Sequence, residues 1–453
     1  MTELHSHQHF FNSGRTQSVS WRKKQLRILL KAVTQYETEL YQAFKTDLHK
    51  GRFETLSTEI GLVKRSIRHT IKHLSDWTEQ KHKSTPSILF GKKSFTVYEP
   101  YGTVLIIGPF NYPFLSVIEP LIGAVASGNT AVIKPSELTP NVSKVIEEMI
   151  HTHFTSSYIQ VVTGGVSTTQ SLLDKNFDFI FFTGSPRVGR IVMEKASKNL
   201  TPVLLELGGK SPVVVLNDAD VKLAAGRIIW GKLMNAGQTC IAPDYCLVHT
   251  SLKDKLLKAM VKEIKSLYGK NAQLSKDYGR IVSRRHADRL IEMINSHSDE
   301  IVYGGKYDDR YIEPTVLDLK SADGPSMEEE IFGPVLPVVS FSTEEEMYQV
   351  IKQYPKPLAF YIFGKNEQKM NHIINNVSSG AAVMNDVMIH AANEHLPFGG
   401  VGGSGIGRFH GRYSIEAFSH EKAVMISKFH GTDSFLKAPY TRKKYSLLKR
   451  LFR

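Results

Sequence analysis

From Tyr98 onward, short apolar runs recur at spacings too wide for hairpin turns. They fall at 104–107, 131–133, 159–162, 179–182, 203–205 and 213–216. The stretches between them, 114–126 and 141–153 among them, are long enough for a helix. Parallel neighbours in a sheet need such crossovers, and a parallel sheet needs cover on both faces. The pattern therefore predicts an α/β fold built on a mostly parallel sheet. Ligands in such sheets bind beyond the carboxyl ends of the strands. A second alternating region, 211–385, with helices expected over 219–235 and 252–267, predicts a second α/β unit and a cleft between the two. A chain of 453 residues fits two or three domains.

Ahead of this lies a helical stretch. Leu26, Leu29, Leu30, Val33, Leu40 and Phe44 keep helical spacing over 21–44, with Ser20 as the expected cap, and further helix runs to about Trp77. Residues 81–93, with Pro86 and many cations, read as a loop or a hairpin turn. The polar start, with His5, His7 and His9, reads as an exposed, disordered end rather than a metal chelate or a signal segment. Two cysteines argue against a disulfide framework. No run approaches the roughly 20 apolar residues that span a bilayer. The reading is a soluble, cytoplasmic protein without metal.

The net charge of +13 favours acidic partners. Much of the excess lies between Lys437 and Arg453, which holds no acidic residue. There Tyr445, Leu448 and Phe452 recur at helical spacing beside Lys444, Lys449, Arg450 and Arg453, the mixture that binds an anionic membrane surface; a solvated tail or one packed on a partner subunit is the alternative. Zinc-finger spacing and RNA-binding aromatic motifs are absent, which argues against nucleic acid.

Several motifs carry chemistry. Asn235-Ala-Gly-Gln-Thr-Cys240 sets a cysteine after a helix and a glycine turn, a placement for a nucleophile or for a small buried hydrophobe. Cys246, inside an apolar run, suits only the second role. In Leu205-Glu206-Leu207-Gly208-Gly209-Lys210 a carboxylate ends an apolar strand, where it needs either catalytic work or a partner. The Gly-Gly-Lys-Ser run is not a phosphate loop, because the earlier glycine would fall at Leu204. Asn111, in Pro109-Phe-Asn111-Tyr-Pro113, is placed to donate to an oxyanion or to form a turn. Phe182-Thr-Gly184-Ser-Pro-Arg-Val-Gly189 follows a strand and opens a helix, as pyrophosphate sites do. Gly400-Val-Gly402-Gly-Ser-Gly405 matches the dinucleotide fingerprint in letters, but it follows Pro397 rather than a strand and reads as a chance match.

Taken together, these motifs resemble the aldehyde dehydrogenase superfamily, and within it the class 3 and fatty-aldehyde branch. The resemblance runs from Phe11-Asn-Ser-Gly-Arg15 to about Val424. It rests on Gly-Gln-Thr-Cys-Ile-Ala-Pro-Asp-Tyr245, the Glu206 strand, Lys134-Pro-Ser-Glu137, Glu330-Ile-Phe-Gly-Pro334 and Pro397-Phe-Gly-Gly400. Gly-Arg-Phe-His-Gly411 and Phe418-Ser-His-Glu-Lys422 look like class 3 in particular. Phe110 stands where many relatives carry Trp.

The resemblance implies a Rossmann-like cofactor domain (1–80 and 99–207), a catalytic domain (208–400), and oligomerisation or bridging segments (81–98 and 401–430) ahead of the basic tail (431–453). It implies a homodimer, and oxidation of an aldehyde to its carboxylate through a thioester on Cys240. Asn111 and the Cys240 amide would hold the oxyanion, and Glu206 would activate the hydrolytic water. The cofactor would be NAD, with NADP as the alternative. Its contacts would be Lys134 and Glu137 at the adenosine ribose, Gly184, Ser185 and Gly189 near the pyrophosphate, and Glu330 with Phe332 near the nicotinamide ribose. Glu137 favours a free 2′-hydroxyl and hence NAD. The rival, an acylating enzyme that passes the thioester to coenzyme A, commonly lacks a Glu206-type base. Phe110, Tyr112 and Phe114 point to an apolar aldehyde, long-chain or aromatic.

Overall fold

A computed structural model describes residues 4–89, 91–427 and 436–452. The first sheet follows the order Val203–Leu207, Phe179–Gly184, Thr103–Ile107, Thr130–Lys134, Ile159–Val161, all parallel. The chain enters at Thr103–Ile107, steps outward twice, then returns to the other side of its first strand. That reversal leaves a crevice beyond the ends of Thr103–Ile107 and Phe179–Gly184. Thr103–Ile107 and Thr130–Lys134 are buried throughout, as central parallel strands must be. The helix Leu115–Ser127 is buried almost all round, because it lies between the sheet and the N-terminal helices.

The second sheet has seven strands in the order Ile301–Tyr303, Thr315–Leu319, Val335–Phe341, Tyr245–His249, Pro212–Val215, Ala359–Phe363, Ala381–Met384, parallel except for the first. It holds the largest core, which includes Cys246. A third, antiparallel sheet joins Lys81–Lys83, Lys92–Pro100 and Ser419–Ser427, so the segment 81–93 is a hairpin. Before reaching it, the chain adds Gly405–Ile406 antiparallel to Val203–Leu207. The Gly400–Gly405 stretch is a tight turn into that strand, with the Val401 amide donating to Ser404 Oγ at 2.9 Å, and it does not open a helix. The fingerprint match is fortuitous.

The N-terminal region corrects three expectations. The helical stretch is two helices, Val19–Gln35 and Glu37–Leu48, broken at Tyr36. Val33 and Leu40 lie seven residues apart and stay in phase across the break, so apolar spacing does not reveal it. The cap is Ser18, whose extended backbone lets its side chain accept from the Trp21 amide; Ser20 lies inside the helix. The start is ordered: Leu4–Asn12 is a helix, His7 is fully buried, and Phe10 stacks on Tyr158 at 5.1 Å. His5 and His9 face outward, so the three histidines do not converge.

One buried acid carries a stability prediction. Glu119 accepts from Ser66 Oγ at 2.7 Å between Leu115–Ser127 and Gly61–Trp77. Burial pushes its carboxyl up to about 7, against the smaller opposing effect of the Ser66 hydrogen bond. The folded state therefore holds a proton that the unfolded chain releases at lower pH. The stability tied to that proton is complete below the unfolded carboxyl range and is lost as pH rises through about 7. Glu119→Gln should raise stability at pH 8 by up to about 3 kcal/mol and leave it unchanged near pH 4, read from urea midpoints at both values.

Candidate active site

The crevice of the first sheet is built for close approach of a ligand. Ser185 caps the helix Pro186–Ser197, accepting from the Val188 amide. A Cβ at Gly184 would lie 2.5 Å from the Phe182 ring, and one at Gly189 would lie 2.6 Å from the Leu207 side chain, so a side chain at either position would displace its neighbour. The free amides of a helix start bind anions such as a pyrophosphate. Lys134 ends its strand buried, with Nζ donating to Pro135 O at 2.7 Å and to Glu137 Oε2 at 3.2 Å. Ser136, Glu137, Pro140, Lys144 and Gly164 line a cleft of about 260 Å³ beside it. A buried ammonium, a partly exposed carboxylate and an anion-binding helix start fit a dinucleotide. Glu330 lies against Gly208, where a Cβ would sit 2.0 Å from Glu330 Oε2. Phe332, with φ of 50°, meets the Phe110 ring at 5.6 Å.

The loop bearing Cys240 is held from several sides. Asn235, Ala236 and Gly237 all adopt positive φ, and a Cβ at Gly237 would lie 2.2 Å from Gly333 O. The Asn235 amide donates to Glu54 Oε1 at 2.8 Å. Gln238 donates to Asn235 O and Arg280 O and accepts from the Val282 amide. Asn111 Nδ2 donates to Gln238 O at 3.0 Å, while Asn111 O accepts from Asn235 Nδ2 at 2.7 Å. One Asn111 N–H is thus committed to the loop, and its second has no hydrogen-bond acceptor among the described residues. Tyr112 OH and Thr239 Oγ1 are 2.8 Å apart.

The acids of the site are out of their usual range. Glu206 is buried, and neither carboxylate oxygen has a hydrogen-bond partner among the described residues. Burial alone raises it well above the ordinary carboxylate range. Burial also pushes the Cys240 thiol up, with Glu330 and Glu206 adding to the rise and the amides of Cys240 and Ile241 opposing it. Glu330 is pushed up to about 8 by burial and then by Asp244, while the Gly209 amide, Lys210 and Lys232 pull it down.

Three supports lie outside the motif reading. Lys210, at the Gly-Gly-Lys run, pairs with Asp244 at 2.5 Å and donates to Ser326 O and Glu329 O, and Asp244 accepts from the Ile331 amide, so the pair anchors the Glu330 segment. Glu54 and the Lys50–Glu59 pair, 3.0 Å apart and fully buried, come from N-terminal helices whose apolar spacing says nothing of them. Phe114 is fully buried in the core and lines no tunnel; Phe110 packs on His286 and Phe332.

Comparison with known proteins identifies the family. The model of the aldehyde dehydrogenase family matches residues 6–424. The chain is 50% identical to the 4,4'-diaponeurosporen-aldehyde dehydrogenase of Staphylococcus aureus, over 98% of this chain and 97% of that one. It is 41% identical to the dimeric, NADP-preferring aldehyde dehydrogenase of Canis lupus familiaris, over 92% of each. The structure of the substrate-bound state of Staphylococcus aureus AldH superposes with a TM-score of 0.97 at 48% identity, covering 99% of this chain and 98% of that one. With a family match along nearly its whole length, the chain belongs to the aldehyde dehydrogenase family and is an NAD(P)-dependent oxidoreductase that converts aldehydes to carboxylates.

Proposed function

We propose that Cys240 is the nucleophile and Glu206 the general base of hydrolysis. The observation that carries this reading is the unpartnered, buried Glu206 carboxyl beside a thiol whose ionisation it disfavours. A carboxylate left without donors is costly and holds protons strongly. The Cys240 thiol gives its proton to solvent, the sulfur bonds to the aldehyde carbon, and the carbonyl π pair moves onto oxygen. The free Asn111 N–H and the Cys240 amide stabilise that oxyanion. A bound NAD(P) would supply the acceptor for the hydride that leaves the aldehyde carbon. Glu206 then takes a proton from water as the water oxygen attacks the thioester, and the C–S bond breaks to give the carboxylic acid and the thiol. Lys134, Glu137, Gly184, Ser185, Gly189, Glu330 and Phe332 hold the cofactor, with NAD favoured and NADP accepted.

The substrate class is an apolar aldehyde. One relative is named for 4,4'-diaponeurosporen-aldehyde. Here Val387 and Met388 pack on Gly231, one turn ahead of the Cys240 loop, and Trp230 and Ile389 beside them are exposed. NADH formation should rise with aldehyde chain length; a preference for short polar aldehydes would overturn this class. Residues 1–80 with 99–207 form the cofactor unit and 208–400 the catalytic unit. The arm formed by 81–98 and 401–430 joins two copies, since its edge strand Ser419–Ser427 exposes Met425 and Ile426. A monomeric mass at sedimentation equilibrium would refute the dimer.

No helix among the described residues is long and apolar enough to cross a membrane. The tail helix Arg442–Leu451, capped by Thr441, exposes Tyr445 and the adjoining Phe452 beside Lys449 and Arg450. It rests on an anionic membrane face inside the cell, each cation contributing about 1 kcal/mol near the surface. Residues 428–435 and Arg453 of the tail lie outside the described residues. The full chain should co-sediment with anionic vesicles at low salt and a chain ending at Ala438 should not; equal sedimentation would exclude this role.

A further inference from the structure

The helix Gly61–Trp77 carries His69 and His73 one turn apart. Against it lies the segment that leads from the short helix Ile389–Ala392 toward Pro397, with Glu394 and His395. Ligand atoms of His69, Glu394 and His395 all lie within 4.8 Å of one another. The rings of His69 and His395 are 4.9 Å apart and nearly perpendicular, at 87°. Glu394 turns Oε2 to Arg65 at 2.7 Å and Oε1 toward His69 Nδ1 at 3.9 Å. None of these side chains has a role in the aldehyde chemistry.

We propose that His69, Glu394 and His395 form a binding site for a divalent transition-metal ion of the zinc class. Two imidazoles and one carboxylate are the donor set that zinc accepts, whereas calcium and magnesium require oxygen donors throughout. Bonds of about 2.0–2.1 Å in a tetrahedral site place donors about 3.3 Å apart, so binding draws the three donors in from a spread of up to 4.8 Å. Arg65 holds one Glu394 oxygen and leaves the other for the metal. The fourth position falls to water or to His73, whose ring lies 4.7 Å from that of His69. The bound ion ties the N-terminal helix to the segment that continues back through His390 to Met388, the residue packed on the helix ahead of Cys240. Zinc therefore stiffens one wall of the active site.

The test uses the full chain carrying Cys240→Ala, so that the nucleophile cannot act as a ligand. Zinc is titrated in competition with a chromophoric chelator, and cobalt(II) serves as a spectroscopic substitute. One ion should bind per chain, with the visible bands of a low-coordinate cobalt site, and zinc should raise the thermal midpoint. His69→Ala and His395→Ala should each weaken binding by more than the roughly 10–100-fold that loss of an outer hydrogen-bond partner costs. His5→Ala and His9→Ala should leave it unchanged. His395 is exposed, and circular dichroism verifies that its variant keeps the fold. A stoichiometric ion that survives both His69→Ala and His395→Ala overturns the site, as does the absence of binding at micromolar zinc.

Discussion

Cys240→Ala should retain NAD binding and form no NADH with any aldehyde, in the first turnover or later. The variant removes the atom that bonds to substrate, and no other thiol can replace it. Cys246, the second cysteine of the chain, lies in the core strand Tyr245–His249 with no exposure. The Cys240 loop is fixed by backbone and amide contacts that do not involve the sulfur, so the fold and the cofactor crevice should survive. Stopped-flow absorbance at the NADH band, with NAD affinity measured in parallel by fluorescence, reads both halves. Wild-type turnover in this variant would remove the covalent step from the reaction.

Glu206→Gln should separate the two halves of the reaction. Hydride transfer does not require the base, so a burst of NADH should persist. Hydrolysis does require it, so steady turnover should fall by about 10²-fold or more, the scale of general-base loss. The amide matches the carboxyl in size, and among the described residues the wild-type side chain makes no hydrogen bond that the change could break. Acid quench after one turnover should trap acyl group on Cys240. Unchanged steady turnover would move the base role to Glu330, whose carboxyl is pushed up to about 8.

Parallel strands were legible because burial on both faces writes them as unbroken apolar runs, and the six expected from 104 to 216 all appear within one or two residues. The chemistry-bearing segments were legible because close approach demands particular residues. Gly237 has no room for a Cβ against the Gly333 backbone, side chains crowd Gly184, Gly189 and Gly208, and that constraint surfaces as motif. Contacts between distant segments left no such trace. Lys210 reaches Asp244, and Glu54 reaches Asn235, through pairings that only the folded topology creates. His7 looked like part of a loose polar end because a histidine buried against Gln160 is spelled like an exposed one. Tyr36 breaks a helix without disturbing its phase.

The left-handed residues ahead of the thiol have a consequence for how the enzyme can be altered. Asn235 and Ala236 each hold a conformation that costs a residue with a side chain about 1–3 kcal/mol. Part of the restraint is a single carboxylate oxygen of Glu54, 181 positions upstream. The reactive loop is thus a spring whose catch sits at the far end of the sequence. Substitution of Glu54, however remote it looks on paper, removes that restraint and alters the aim of the nucleophile.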